Sequence, residues 1–354
     1  MGRIGPGHNV GSSHTSCDEA ARSVARGTGP TPLQRVEGLR WIAGLVVAVL
    51  SVWLLFQDLD WLGVWNALIM ADYRWVVAGV VAIVATFFTR ALRWRVLLWQ
   101  SPLSLRPAVS AILVGQVVNL ALPMRSGDVV RALWVAPEGE ASAAEALGSI
   151  AVEKMWDLLA LLACGLALLV LMPLPTWFAR STWATGLALA VIVGTVWCGL
   201  YWQDVLFRWA GRVLARLPVG WDRALLPRLR QLVNGLEGAR QPGVPWRALL
   251  WTGLTWAFGG LANLAVLAAF GIPSPTAALF LLAALMVGGA VPTPARLGVF
   301  EGVCVISLAL FGVSRDLALA VGLVLHLVVM GPPLLGAAVL AFWPRWWRRR
   351  RASA

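Results

Sequence analysis

Lysine is all but missing from this chain. Lys154 is the only one in 354 residues, although arginine is plentiful and the formal net charge is +12. Charged residues of every kind make up only 13%. A water-soluble domain of this length needs more of them on its surface, so a soluble fold is excluded. Cysteine is sparse and scattered: Cys17, Cys164, Cys198 and Cys304 form no CxxC pair. That argues against a disulfide framework and a zinc site. The histidines, His8, His14 and His326, lie too far apart in sequence to suggest a metal cluster. The chain has no Gly-rich nucleotide loop, no Walker pattern, no Ser/His/Asp constellation and no DxD-type acidic pair on a soluble domain. No ATP-driven mechanism is indicated, and no cofactor or metal is expected.

What the chain does hold is apolar. Hydrophobic residues make up 59%, and the mean hydropathy is +0.75. Several apolar runs approach 20 residues, the length that crosses a bilayer as a helix. Tryptophan is abundant, with 21 residues, as expected for side chains at the bilayer interface. A basic balance can signal nucleic acid. Here most arginines sit at the ends of apolar runs, so orientation and anionic headgroups explain them better, and no nucleic-acid partner is expected.

One decapeptide organises the rest: Leu122-Pro123-Met124-Arg125-Ser126-Gly127-Asp128-Val129-Val130-Arg131. It breaks an apolar run with Pro, Gly and three charges. Hydrocarbon tolerates such backbone and such charges only where protein or a water-filled cavity covers them. A second stretch echoes it, Val291-Pro292-Thr293-Pro294-Ala295-Arg296-Leu297-Gly298-Val299-Phe300-Glu301. Both contain Pro-x-Arg-x-Gly, 171 positions apart, from Pro123 to Pro294.

The organisation follows in chain order. Residues 1–38 read as a disordered basic tail on the cytoplasmic side, and residues 39–343 as a polytopic membrane domain. Spans are expected near 39–56, 75–92, 142–172, 182–202, 248–270 and 316–343. Ser142-x-x-Glu145 is a capping box for the third of these. Segment 203–247 carries eight arginines and reads as cytoplasmic interfacial helix. If run 108–122 crossed the membrane, that segment would face outside, against the positive-inside bias. The conflict vanishes if 108–122 enters, turns at the first motif and returns, as a re-entrant hairpin. Run 276–291 does the same at the second motif, and 344–354 is a basic cytoplasmic tail. The expected fold is therefore an all-α integral membrane protein. It is an inverted repeat of two halves, 39–172 and 182–343, each with three spanning helices and one hairpin. The alternative is eight ordinary transmembrane helices with two decorated loops.

Candidate ligand-binding residues cluster at the two turns and on the long span between them. Arg125 and Arg131 flank the first turn, where the planar guanidinium fork suits a phosphate. Pro123 breaks the helix, Gly127 allows close backbone approach, and Asn119 can contribute an amide or a structural hydrogen bond. In the plainer reading Arg125 pairs with Asp128. Glu153, Lys154 and Asp157 lie inside the long span, Glu153 and Asp157 on one face at i, i+4, within reach of Arg125 or Arg131 across a cavity. Arg296, Gly298 and Glu301 decorate the second turn, where an Arg296–Glu301 pair competes with a functional carboxylate. Arg90, Arg93 and Arg95 read as interfacial anchors, and His326 as a packed, hydrogen-bonded histidine.

Four elements together resemble a known family. They are Arg90-Ala-Leu-Arg93-Trp94; Asn119-x-x-Leu-Pro123-x-Arg125-x-Gly127-Asp128-x-x-Arg131; Glu153-Lys154-x-x-Asp157; and Pro294-x-Arg296-x-Gly298-x-x-Glu301. Their order and spacing resemble the lysylphosphatidylglycerol synthase transmembrane region, or flippase-like, family over about residues 39–343. The resemblance implies a domain that moves an anionic phospholipid or a polyprenyl-phosphate-linked lipid between leaflets of the cell membrane. With the sequence ending just after the last span, no room is left for a soluble aminoacyl-transferase domain, so synthase activity is not expected. Two alternatives remain at this point: a membrane-embedded lipid-linked glycan transferase, and a non-catalytic partner of a separately encoded glycosyltransferase.

Overall fold

The computed structural model describes residues 59–352 except 102, 123–125, 137–140, 175, 215–220 and 290–292, together with 46, 49, 50, 53 and 57. The N-terminal tail, most of the span expected at 39–56, Pro123 and Arg125 lie outside the described residues.

The described chain is helical. Five helices are long and apolar enough to cross a membrane. They are α2 (Tyr73–Leu97), α5 (Ala143–Leu171), α6 (Thr176–Tyr201), α9 (Val244–Ala269) and α12 (Arg315–Ala352). Between them lie short helices: α1 (Trp61–Met70), α3 (Leu105–Ala121), α4 (Gly127–Val135), α7 (Gln203–Leu214), α8 (Trp221–Glu237), α10 (Pro275–Gly288) and α11 (Val299–Ala309). Large apolar side chains stay exposed along the long helices: Leu187 is 69% exposed, Val170 87% and Leu335 70%. Such faces are stable in hydrocarbon and not in water, so the chain is a multi-pass all-α membrane protein.

Local chemistry sets the helix starts. Asp72 caps α2 by accepting from Arg74 N at 3.1 Å. Ser142 caps α5 by accepting from Glu145 N at 3.1 Å. Only half of the expected capping box forms, because the Glu145 carboxylate accepts from Ser101 Oγ at 2.7 Å instead. Ser274 caps α10 with Pro275 in the first turn. One element was not anticipated. The connection expected between the first two spans contains α1, capped by Asp60 and seated on Leu319 and Ala320 of α12 through Val64.

The core joins both halves. Phe87, Ala91 and Trp94 of α2, Ala111 of α3, Ala132 of α4 and Ile150 of α5 share one buried cluster with Val266 of α9, Leu281 of α10, Phe300 of α11 and Leu325 of α12. Small residues let backbones close in. A Cβ on Gly127 would run into the Gly115 carbonyl, so α3 and α4 lie backbone to backbone. A Cβ on Gly148 would meet the Leu232 carbonyl, and one on Gly235 the Glu145 carbonyl. α8, with its expected interfacial character, is thereby fastened to α5. The last helix continues to Ala352, past the expected end at Trp343.

Candidate functional site

Glu153, at 0% exposure, is the centre of the site. It lies three turns into α5, roughly 15 Å from the helix start at 1.5 Å per residue. Arg131 Nη2 of α4 donates to its Oε2 at 2.7 Å. Arg93 Nη2 of α2 lies 3.0 Å from its Oε1, and Arg90 Nη2 3.8 Å from the same oxygen. Arg93 also donates through Nη1 to Asp157 Oδ1 at 2.7 Å and to Thr252 Oγ1 of α9 at 3.2 Å. The Arg131 guanidinium rests on the Trp94 ring, 3.7 Å from its centroid. Trp94 is held in turn by its N–H bond to Ser149 Oγ at 2.9 Å. One carboxylate therefore serves three guanidiniums. Arg93 has a second carboxylate and Arg131 an aromatic face. Arg90 has only the longest contact.

This geometry corrects the sequence reading of α2. Arg93 is not an interfacial anchor: it is 0% exposed and bridges both acids of α5. Arg95 is tied down by its bond to the Leu103 carbonyl at 2.6 Å. The helix runs to Leu97 rather than ending near 92, which carries these arginines into the packed region. The expected meeting of Arg131 with Glu153 occurs, and Asp157 pairs with Arg93. Asp128 takes Lys154 as its partner at 3.1 Å. Asn119 makes the structural bond, accepting from Gly127 N at 2.9 Å. Gly127 lies against the Gly115 carbonyl, a contact that leaves no room for a Cβ.

Beside the cluster lies a partly open cavity of about 240 Å³. Of the residues singled out from sequence, Asn119, Asp128, Lys154, Asp157 and Arg296 line it. Arg131, Glu153, Gly127, Gly298 and Glu301 do not. Arg90, Gln116, Trp256 and Asn263 line it as well and were not among the sequence candidates. Trp256 Nε1 points to Asp157 Oδ1 at 3.5 Å. Both halves contribute walls, so only chain folding brings these residues together. Among the described residues of cluster and cavity lining, Arg90, Arg93, Arg131, Lys154 and Arg296 face three carboxylates, those of Asp128, Glu153 and Asp157. Basic groups are in excess.

The second turn presents Arg296 by a strained route. Ala295 and Arg296 have φ of 50° and 57°, left-handed values for residues with a Cβ. Gly298, at φ 75°, opens α11, and Glu301 Oε2 accepts its N–H at 2.9 Å. The other Glu301 oxygen meets His326 Nδ1 at 2.5 Å. His326 is thus hydrogen-bonded as expected, but to a carboxylate rather than among apolar neighbours alone. Ala295→Gly should relieve the left-handed penalty and stabilise the protein by about 0.5–1 kcal/mol, read as a raised Tm in detergent. A lowered Tm would mean that the turn is held in another conformation.

No solved structure matches the chain. A stretch of 157 residues is 33% identical to glycosyltransferase AglD of Haloferax volcanii, covering 44% of this chain and 25% of that protein. The family model of the lysylphosphatidylglycerol synthase TM region matches residues 41–337. The chain belongs to the lysylphosphatidylglycerol synthase TM region family.

Proposed function

We propose that this protein is a flippase-like lipid transporter whose cavity receives the phosphate of an anionic phospholipid or polyprenyl-phosphate-linked lipid. The observation that carries the reading is Arg90. It lines the cavity, and its nearest carboxylate is 3.8 Å away and already shared with two closer arginines. A guanidinium in that position is ready for a bidentate phosphate. Lys154 and Arg296 line the same space, and Arg125 precedes α4 by two positions in the sequence. Asp128, Asp157, Asn119 and Asn263 supply acceptors and amides for the remainder of a headgroup.

Helix lengths support a re-entrant, repeated architecture. At 1.5 Å per residue, α4, α10 and α11 are roughly 14, 21 and 17 Å long, short of a hydrocarbon core of about 30 Å. α2 begins at Tyr73 and α9 at Val244, an offset of 171 that also relates α5 at Ala143 to α12 near Arg315. In this reading the two halves have opposite orientation, one hairpin enters from each side, and both meet at the cavity. Both termini and segment 203–247 face the cytoplasm across the plasma membrane.

Similarity to glycosyltransferase AglD favours a second reading, in which the chain handles a lipid-linked sugar beside a separately encoded glycosyltransferase. Trp256 and Asp157, side by side on the cavity wall, offer a ring and a carboxylate to a sugar.

Binding separates these readings. Short-chain phosphatidylglycerol should bind the detergent-solubilised protein, and Arg90→Ala should weaken it about ten-fold or more, the worth of a charged hydrogen bond. Equal affinity of wild type and variant would remove Arg90 from the site. Binding of a short-chain polyprenyl-phosphate sugar but not of phosphatidylglycerol would make a lipid-linked sugar the ligand and favour the second reading over phospholipid transport.

A further inference from the structure

The buried pair Glu301–His326 has no place in the cluster described above, and it does not line the cavity. It nevertheless touches the cavity wall. The Phe300 ring lines the cavity and packs on the His326 ring, with centroids 4.7 Å apart. His326 also reaches the turn that carries Arg296: its Nε2 lies 3.1 Å from the Ala295 carbonyl oxygen. Its Nδ1 lies 2.5 Å from Glu301 Oε1.

Counting protons decides what this arrangement requires. A carbonyl oxygen only accepts, so Nε2 must carry a proton. A second proton must lie between Nδ1 and Oε1, on one atom or the other, because two lone pairs cannot face each other at that distance. A neutral histidine beside an ionised glutamate holds only one proton in total. The observed geometry therefore holds one more, as imidazolium with carboxylate or as imidazole with carboxylic acid. Losing that proton breaks one of the two bonds. Either Nδ1 faces the carboxylate bare, or Nε2 faces the carbonyl bare.

The surroundings leave few other titratable groups. Glu301 is the charged residue of α11, with Cys304 one turn further on and packed at Gly322. α1 and α10 carry no titratable side chain. The charged residues of α2, α3 and α9 are all arginines, which keep their protons. α12 itself adds Arg315 and Asp316 at its start and Arg345, Arg348, Arg349, Arg350 and Arg351 at its end, all far along the helix from His326. Within the turn the charged side chain is Arg296.

We infer that Glu301 and His326 form a proton-loaded latch that clamps the left-handed Ala295–Arg296 turn and so links anion binding in the cavity to uptake of one proton. The proton comes from bulk water and goes to the shared Nδ1–Oε1 position; no covalent bond other than that to the proton forms or breaks. The latch rests on the reading of the cavity as an anion site. With the latch loaded, Arg296 is held at the cavity wall. With the proton lost, the strain at two non-glycine residues is no longer opposed by the clamp, and the turn relaxes. Linkage sets the sign: the loaded latch holds one proton more than the open one, so anion affinity is full at low pH and falls as pH rises.

Two variants give opposite results if this is right. Glu301→Gln offers an amide N–H to Nδ1 while Nε2–H still reaches Ala295, so both bonds form without the extra proton. His326→Phe keeps the packing on Phe300 and removes both bonds. The full-length protein in detergent is titrated with short-chain phosphatidylglycerol, whose phosphodiester keeps one charge, from about pH 5.5 to about pH 8.5. Hydrogen exchange of peptides covering 293–302 is followed in parallel without lipid, corrected for intrinsic rates. Wild-type Kd should rise about ten-fold or more across the range, at most ten-fold per pH unit for one linked proton. Glu301→Gln should bind tightly throughout and His326→Phe weakly throughout, and exchange of the turn should follow the same pattern. A merely structural pair would make both variants weak. That result, or wild-type exchange independent of pH, overturns the latch. If neither phosphatidylglycerol nor a short-chain polyprenyl-phosphate lipid binds at any pH, the anion-site reading fails instead. The exchange data then judge the clamp alone: a pH step present in wild type and absent from both variants upholds it, and no step overturns it.

Discussion

Glu153→Gln should lower stability by about 3–5 kcal/mol, the range for breaking a buried charge pair from one side. The carboxylate is fully buried and is the nearest acid to both Arg131 and Arg90. Its loss leaves Arg131, 2% exposed, without the counter-charge that its Nη2 meets. Arg93 keeps Asp157 and suffers less. Removing the charge on both sides should therefore hurt less than removing the acid alone. Glu153→Gln combined with Arg131→Met should recover part of the lost Tm in detergent without recovering lipid binding. Asp157→Asn with Arg131→Met, which touches two separate pairs, should show additive losses. Strict additivity in the first double variant would mean that Arg131 and Glu153 do not meet.

Gly127→Ala should have the next largest effect, about 1–3 kcal/mol, as for overpacking of a tight interface. The added methyl meets the Gly115 carbonyl and the Asn119 side chain, neither of which can move without opening the α3–α4 contact. α4 carries Arg131 and Asp128, so the same change should also disturb the cluster. Thermal unfolding in detergent reads the first effect, and phosphatidylglycerol binding the second. A neutral result for both would place α4 further from α3 than the glycine contact requires.

Helices α2, α5, α9 and α12 were legible from apolar runs and end charges because those signals are local. The cap at Ser142 was legible for the same reason. Arg93 was not. At the end of an apolar run an arginine looks like an interfacial anchor, and only its partners on another helix, Glu153 and Asp157, 60 and 64 positions away, show otherwise. Trp94 gives a faint signal in hindsight, an aromatic beside the arginine that ends up under Arg131. Glu301 and His326 are 25 positions apart, on two helices whose packing no periodicity announces. Glu301 stands out in the sequence as an isolated carboxylate in an apolar run, where it needs a partner. Its partner is His326, and the strained turn carries Arg296 to the cavity wall. α1 hid inside a connection marked by acidic residues, where Asp60 was acting as a helix cap.

The central claim is that the cavity beside Arg90 carries an anionic headgroup between leaflets. It is tested most directly in proteoliposomes with a fluorescent phosphatidylglycerol placed in both leaflets and a membrane-impermeant quencher added outside. Wild-type protein should make nearly all of the probe accessible. Arg90→Ala at equal reconstitution should slow that exchange about ten-fold or more, in line with its lost contact. Exchange by wild type no faster than in protein-free vesicles, for phosphatidylglycerol and for a polyprenyl-phosphate lipid alike, would contradict the account.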